Sequence, residues 1–190
     1  MKAKMPLIAA AWLIALSAFG GCLNGDGGGN STAVIETSKG TITVELYEDK
    51  MPKTTDNFVK LANDGFYDGL IFHRIKDDFM IQAGLMYPNG TEKQSPYGEI
   101  DLETHPDATH VDGAISMARR QQPDTASAQF FICDGAQHFL DGQYAAFGKV
   151  VDGMDVVRDI ASAEHDGSLE PNPGGGQPLE DIVIESVTIE

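Results

Sequence analysis

Cysteine and basic side chains are both scarce in this chain of 190 residues, which carries 2 Cys and 13 Lys plus Arg against 29 Asp plus Glu. With only Cys22 and Cys133 present, no disulfide framework is available to hold a fold together. The formal net charge of −16 argues against nucleic acid as a partner, because phosphate binding needs clustered Lys and Arg. A single Trp beside 9 Phe and 5 Tyr points to a core built largely on Phe, Ile, Leu and Val. No internal repeat is evident, and no Gly-rich segment follows a strand and opens a helix as a phosphate cradle would. No Ser/His/Asp arrangement stands out either. His105 and His110, with Asp107 and Asp112 nearby, lack a recognised ligand spacing, so neither a metal nor a cofactor is expected. Asn30-Ser31-Thr32 and Asn89-Gly90-Thr91 are glycosylation sequons, meaningful only in a host that glycosylates exported proteins.

What is present begins with a targeting segment. Lys2 and Lys4 precede an uncharged apolar stretch from Leu7 to Ala18 and then small residues, so residues 1–21 read as an export signal. Phe19-Gly20-Gly21-Cys22 resembles a lipobox, in which the cysteine becomes the lipid-bearing first residue of the mature chain. Phe19 stands where Leu is usual. An uncleaved anchor from Met5 to Leu23, close to the roughly 20 residues a membrane span needs, therefore stays open, as does plain secretion. All three place the domain outside the cytoplasm, and the first two hold it at the membrane. Residues 22–32, rich in Gly and without apolar periodicity, form a flexible tether. The folded domain is expected over residues 33–190, a length suited to one domain. Loss of Lys2 and Lys4 with the signal takes the charge from −16 to −18, since no acid precedes Cys22. That acidity reads as a solvated surface or as adaptation to high salt. Cys133, in an apolar run, reads as a small buried hydrophobe.

Within the domain, residues 33–38 and 41–48 alternate apolar and polar around Lys39-Gly40, a hairpin pattern. Pro52 and the following residues predict a helix with Thr54 or Thr55 as N-cap, Phe58, Leu61 and Ala62 on one face, and Gly65 as the stop. Short strands are expected at 70–75, 79–83, 114–118, 129–133 and 145–151. Residues 153–163 have helical spacing, 164–178 read as a surface loop, and 181–190 close the chain with strict alternation. That rhythm suggests a barrel or sandwich.

Two of these strands carry most of the functional signal. In FHRIKDDFMIQAG (72–84), Met80 and Gln82 share one face and Ile81 and Ala83 the other. In QFFICDG (129–135), Gln129 and Phe131 point one way, and Phe130 and Ile132 the other. One face is a core face. On the pattern alone the second is either a solvated face or a pocket. Phe79, Met80, Phe131, Phe139 and Leu140 near Arg74 suit a substrate that is apolar but carries a carbonyl.

The motifs FHRI, FMIQAG, GAISMA, QFFIC and LDGQYAAFGKV, in this order and spacing across residues 33–190, resemble those of the cyclophilins, the peptidyl-prolyl cis/trans isomerase family, and lean toward its shorter prokaryotic branch. The resemblance implies an all-β fold, a closed eight-stranded antiparallel barrel capped by two α-helices, with the ligand groove on its outside. It implies that Arg74 is the catalytic arginine, supported by Gln82. It also implies that Phe79, Met80, Phe131 and Leu140 wall a proline pocket, that Gln129 is a second substrate-binding amide, and that Ala118 meets the substrate through its backbone. Phe139 and Tyr144 complete the surface, standing where many eukaryotic relatives have Trp and His. Loss of the Trp N–H is expected to weaken cyclosporin binding more than catalysis. Arg119-Arg120 is expected to make the flanking subsite cationic, and His73 reads more simply as a structural hydrogen-bonder than as a catalytic group. The implied partners are proline-containing peptides and unfolded exported proteins, with the isomerase a monomer.

The chemistry this implies starts from the peptide bond, whose barrier of roughly 18 to 20 kcal/mol makes X-Pro isomerisation take tens to hundreds of seconds. Reaching milliseconds means lowering it by about 6 kcal/mol. No covalent step is needed. In the twisted transition state the prolyl nitrogen regains a lone pair, which a guanidinium bonds better than it bonds the planar ground state. One such bond supplies about 1.5 to 3 kcal/mol, so the pocket and the amides must supply the rest. The alternative is a chaperone or scaffold that binds proline segments without turnover, although a pure binder has little use for Arg74. A solute-binding lipoprotein fits a one-domain barrel poorly.

Overall fold

The alternation at the start of the domain becomes a hairpin. The computed structural model describes residues 30–171 and 174–190, so the expected export signal, Cys22 and most of the tether lie outside the described residues. β1 (Thr32–Thr37) and β2 (Gly40–Leu46) pair antiparallel with Thr37 opposite Gly40. Ala33 and Ile35 of β1, and Ile42, Val44 and Leu46 of β2, are fully buried. β3 (Arg74–Lys76), β4 (Met80–Ala83), β5 (Ala114–Met117), β6 (Phe130–Cys133), β7 (Ala145–Asp152) and β8 (Ile184–Ile189) complete one antiparallel sheet, ordered β3-β4-β6-β5-β7-β2-β1-β8. β1 thus lies inside the sheet, between β2 and β8. Thr32 and Glu190 exchange backbone hydrogen bonds at 3.0 and 2.8 Å, which brings the start of β1 beside the last residue.

The expected closed barrel is corrected here. The sheet is an open, curled half-barrel whose end strands, β3 and β8, share no ladder. The reason is local. Residues 70–75 were expected as one strand, but only Arg74 onward is ladder-paired, and the segment before it meets the chain ahead of β8 through a single bridge, Ile71 to Val183. The seam is filled by individual bonds such as Phe72 N–H to the Ile182 carbonyl at 3.0 Å.

Two helices pack against the sheet, α1 on β7 and β8 and α2 on β2, β3 and β4. α1 (Pro52–Asn63) buries Phe58, Leu61 and Ala62 as its spacing predicts, but neither Thr54 nor Thr55 is its N-cap. Pro52 occupies the first turn, where a missing N–H costs nothing. The cap comes from afar: the Glu103 carboxylate accepts from the backbone N–H groups of Lys53 and Thr54, at 3.3 and 2.9 Å, and from the Thr54 hydroxyl at 2.9 Å. α2 (Met154–Ala161) starts after Gly153, whose φ of 87° and contact with the Thr41 carbonyl leave no room for a Cβ. The core beneath is built on Phe, Ile, Leu and Val with several Ala, as the composition predicts, and its rings cluster: Phe58 packs at 5.2 Å from Tyr67 and Phe147 and edge-on to Phe130 at 5.6 Å. The Tyr67 hydroxyl, buried with these rings, donates to the Ala128 carbonyl at 3.1 Å. Among the described residues, no helix is long and apolar enough to cross a membrane.

Candidate functional site

The strand alternation produces two apolar faces rather than one. Ile81, Ala83, Phe130 and Ile132 point into the core beneath the helices. Met80, Phe131 and Cys133 point outward and form a second buried cluster with Ala114 and Leu140. Cys133 is fully buried there, and burial pushes its thiol up to about 12, so it behaves as the small hydrophobe expected. Register then assembles the site. Arg74 pairs with Gln82, Gln82 with Phe131, and Phe131 with Ser116, so one row across β3, β4, β6 and β5 runs from a cation through an amide to an aromatic ring.

That row opens into a pocket of about 160 Å³ lined by Arg74, Phe79, Met80, Gln82, Ala118, Arg119, Phe131, Leu140 and Tyr144. Every expected site residue of the domain is in this wall except Gln129 and Phe139. Gln129 lines the adjoining groove, and its side-chain oxygen accepts from the Gln82 amide at 3.0 Å. Phe139 sits outside, 64% exposed, stacked on Phe79 at 6.0 Å. The floor is rigid. Phe131 packs edge-on to Tyr144 at 5.9 Å and is stacked from behind by His110 at 6.0 Å. His110 is fully buried, bonded to Asp141 at 2.8 Å and to the Ser116 hydroxyl at 3.0 Å. Burial lowers the His110 pKa, although Asp141 opposes this. Burial alone would raise the Asp141 carboxyl, but the His110 N–H and the His110 and His138 imidazoles outweigh it and hold it below the ordinary range.

Arg74 lies half-buried at the rim, with its guanidinium carbon 5.8 Å from the Phe79 ring centroid. Burial lowers its pKa and Tyr144 opposes that. His73, just ahead of β3, is pushed down to about 4, first by burial and then by Arg74, against weaker pulls from Gln129 and the Ile71 backbone. It is neutral near pH 7, and its Nδ1 is buried without a hydrogen-bond partner among the described residues, so that nitrogen does not act as the structural hydrogen-bonder expected.

Arg119 was expected only in a flanking subsite, yet it helps wall the pocket itself, with its guanidinium 4.6 Å from the Tyr144 centroid and bonded to the Gln143 carbonyl at 2.8 Å. Arg120 pairs with Glu99, and the adjoining groove contains Glu92 and Glu99 beside the two arginines. Its charges balance, so the geometry does not carry the cationic subsite expected from Arg119-Arg120. Three of the four residues weighed as metal ligands have hydrogen-bond partners for their side chains: His110 bonds Asp141 and Ser116 as above. Asp112 accepts from Gly135 and Arg158, and His105 accepts from the Asp107 N–H.

Residues 32–189 match the family model described as cyclophilin type peptidyl-prolyl cis-trans isomerase/CLD. The chain belongs to the cyclophilin-type peptidyl-prolyl cis-trans isomerases. It is 41% identical to peptidyl-prolyl cis-trans isomerase ppi1 of Schizosaccharomyces pombe over 138 residues, covering 72% of this chain and 89% of that one. It is 38% identical to peptidyl-prolyl cis-trans isomerase B of Escherichia coli over 165 residues, covering 82% and 97%. These identities lie too close together to place this cyclophilin in a prokaryotic branch. Among solved structures, it resembles a Cryptosporidium parvum cyclophilin type isomerase crystallised in the presence of the dipeptide Ala-Pro, with a TM-score of 0.74 and 32% identity, covering 84% of this chain and 98% of that one.

Proposed function

We propose that this cyclophilin accelerates X-Pro isomerisation in exported or surface proteins by non-covalent stabilisation of the twisted transition state, while anchored to the membrane through Cys22 or an uncleaved N-terminal segment. The observation that carries the mechanism is the row Arg74–Gln82–Phe131, which sets a half-buried guanidinium and an amide at the rim of an apolar pocket. The proline ring enters between Met80, Phe131 and Leu140, with Phe79 and Tyr144 at its sides. Its nitrogen, pyramidal in the transition state, then meets Arg74, and the bond strengthens as resonance is lost. Gln82, steadied by Gln129 at 3.0 Å, holds the carbonyl that rotates. The Ala118 N–H already donates to the Gln129 carbonyl at 2.9 Å, so Ala118 meets the residue before the proline through its own carbonyl. Phe139 extends the apolar surface beyond Phe79. The site acts within one copy of the chain, as a monomer, and the lipobox-like segment supports the prokaryotic lipoprotein form.

A protease-coupled assay on a proline tetrapeptide tests this reading. Arg74→Ala should lower kcat/KM at least about tenfold, the loss of one charge-assisted bond of about 1.5 to 3 kcal/mol, with an unchanged far-UV CD spectrum. Near-normal turnover in the variant would remove Arg74 from this role. Peptide binding without turnover in the wild type would mark a proline-binding scaffold instead.

A further inference from the structure

The loop between α2 and β8 takes no part in the chemistry above, yet it reaches the arginine. β3 is a sheet edge of three residues, and the loop covers it: Ile75 N–H donates to the Gly176 carbonyl at 2.9 Å and Gly176 N–H returns a bond at 3.2 Å. From this docked position the Gly174 carbonyl accepts from both Nε and Nη2 of Arg74, at 3.2 and 3.1 Å. One side chain ties loop to strand. Glu170 Oε1 accepts from Lys76 Nζ at 2.6 Å and from the Gly175 N–H at 2.8 Å. Lys76 lies two residues beyond Arg74, on the same face of β3. Gly175 has φ of 83°, and a Cβ there would collide with the Ile75 carbonyl, so the backbone comes this close only because the residue is glycine.

We propose that Glu170 is a positioning residue for the isomerase: by gripping Lys76 and the Gly175 amide it fixes the Gly174 carbonyl against Arg74 and so sets the direction of the guanidinium over the pocket. This rests on the assignment of Arg74 to the prolyl nitrogen. The physical need is plain. A guanidinium on a long stem loses side-chain freedom each time it is aligned, and holding two of its N–H groups on a fixed carbonyl removes that cost before the substrate arrives. The Glu170–Lys76 pair is itself more than a third exposed on both sides. Such pairs contribute little to stability, so its effect should be seen in turnover rather than in melting.

The test compares Glu170→Ala and Glu170→Gln in the full chain, alone and combined with Arg74→Ala. Glu170→Ala should lower kcat/KM about fivefold, carried by kcat rather than KM, because misplacement of a reacting group is felt in the transition state. Its melting temperature should stay within about two degrees of wild type, as expected for an exposed pair. Glu170→Gln, which keeps the acceptor oxygen, should restore most of the activity. In the Arg74→Ala background, Glu170→Ala should change nothing further. The NMR resonance of the Arg74 Nε–H should move in Glu170→Ala. Wild-type turnover with an unmoved resonance would overturn the proposal, and so would an equal fall in the Arg74→Ala background. Absence of turnover in the wild type would instead defeat the functional reading, while the Nε–H resonance would still decide whether the clamp exists.

Discussion

His73 and Arg74 are neighbours in sequence, and the fold treats their charges differently. Arg74 keeps its charge at the pocket rim, while His73 is held neutral with its pKa lowered from 6.5 to about 4. Between those values the unfolded chain binds a proton at His73 that the folded domain refuses. Stability should therefore fall as the pH is lowered through that window, by up to about 3 kcal/mol, and His73 should add no pH dependence above it. Urea midpoints at pH 7 and pH 4.5 should differ by less in His73→Gln than in the wild type, and equal differences would remove His73 as the source. At this scale the sequence was readable where alternation applied: Met80, Gln82 and Phe131 all face outward as their positions require. Arg119 was not readable as a pocket wall, since its place depends on a loop turning back toward Tyr144. Nor was Glu170, whose partner Lys76 is 94 residues away, nor His110 as the backing of Phe131. No local pattern encodes such pairings.

Elements were legible where periodicity speaks and illegible at their ends. The apolar face of α1 was visible in the spacing of Phe58, Leu61 and Ala62, but its N-terminus was not, because the acceptor for its first N–H groups comes from Glu103 in the long segment between β4 and β5. A threonine just inside a helix imitates a cap in sequence. Glu103→Ala leaves those N–H groups without their acceptor and should cost about 1 kcal/mol, lowering the melting temperature by several degrees for a domain of this size. Turnover should be unchanged at temperatures where the domain is folded. An unaltered melting temperature would show that water replaces the carboxylate without loss. The strand expected at 70–75 failed for a related reason: apolar residues before Arg74 are buried by irregular chain and not by a ladder.

For the molecule as a whole, the order of motifs carried the family and most of the topology. It did not carry closure, since whether the ends of a sheet meet depends on a few residues of edge pairing that alternation does not register. The anchor belongs to this scale too. If Cys22 bears the lipid, Cys22→Ser should move the domain from the membrane to the soluble fraction of a cell lysate. Retention in the membrane would favour the uncleaved segment from Met5 to Leu23. The placement of β1 then has a mechanical consequence. A domain held from its N-terminus and engaged with a substrate is pulled through Asn30 into β1, which is flanked by β2 and β8 and is not a margin of the sheet. The load runs along two ladders at once, as shear, and cannot peel the strands apart one bond at a time. The short margin at β3, which bears Arg74, lies at the other end of the strand order, yet the bonds across the seam tie the residues before it to β8, so traction on the tether reaches it through β8 rather than through the whole sheet.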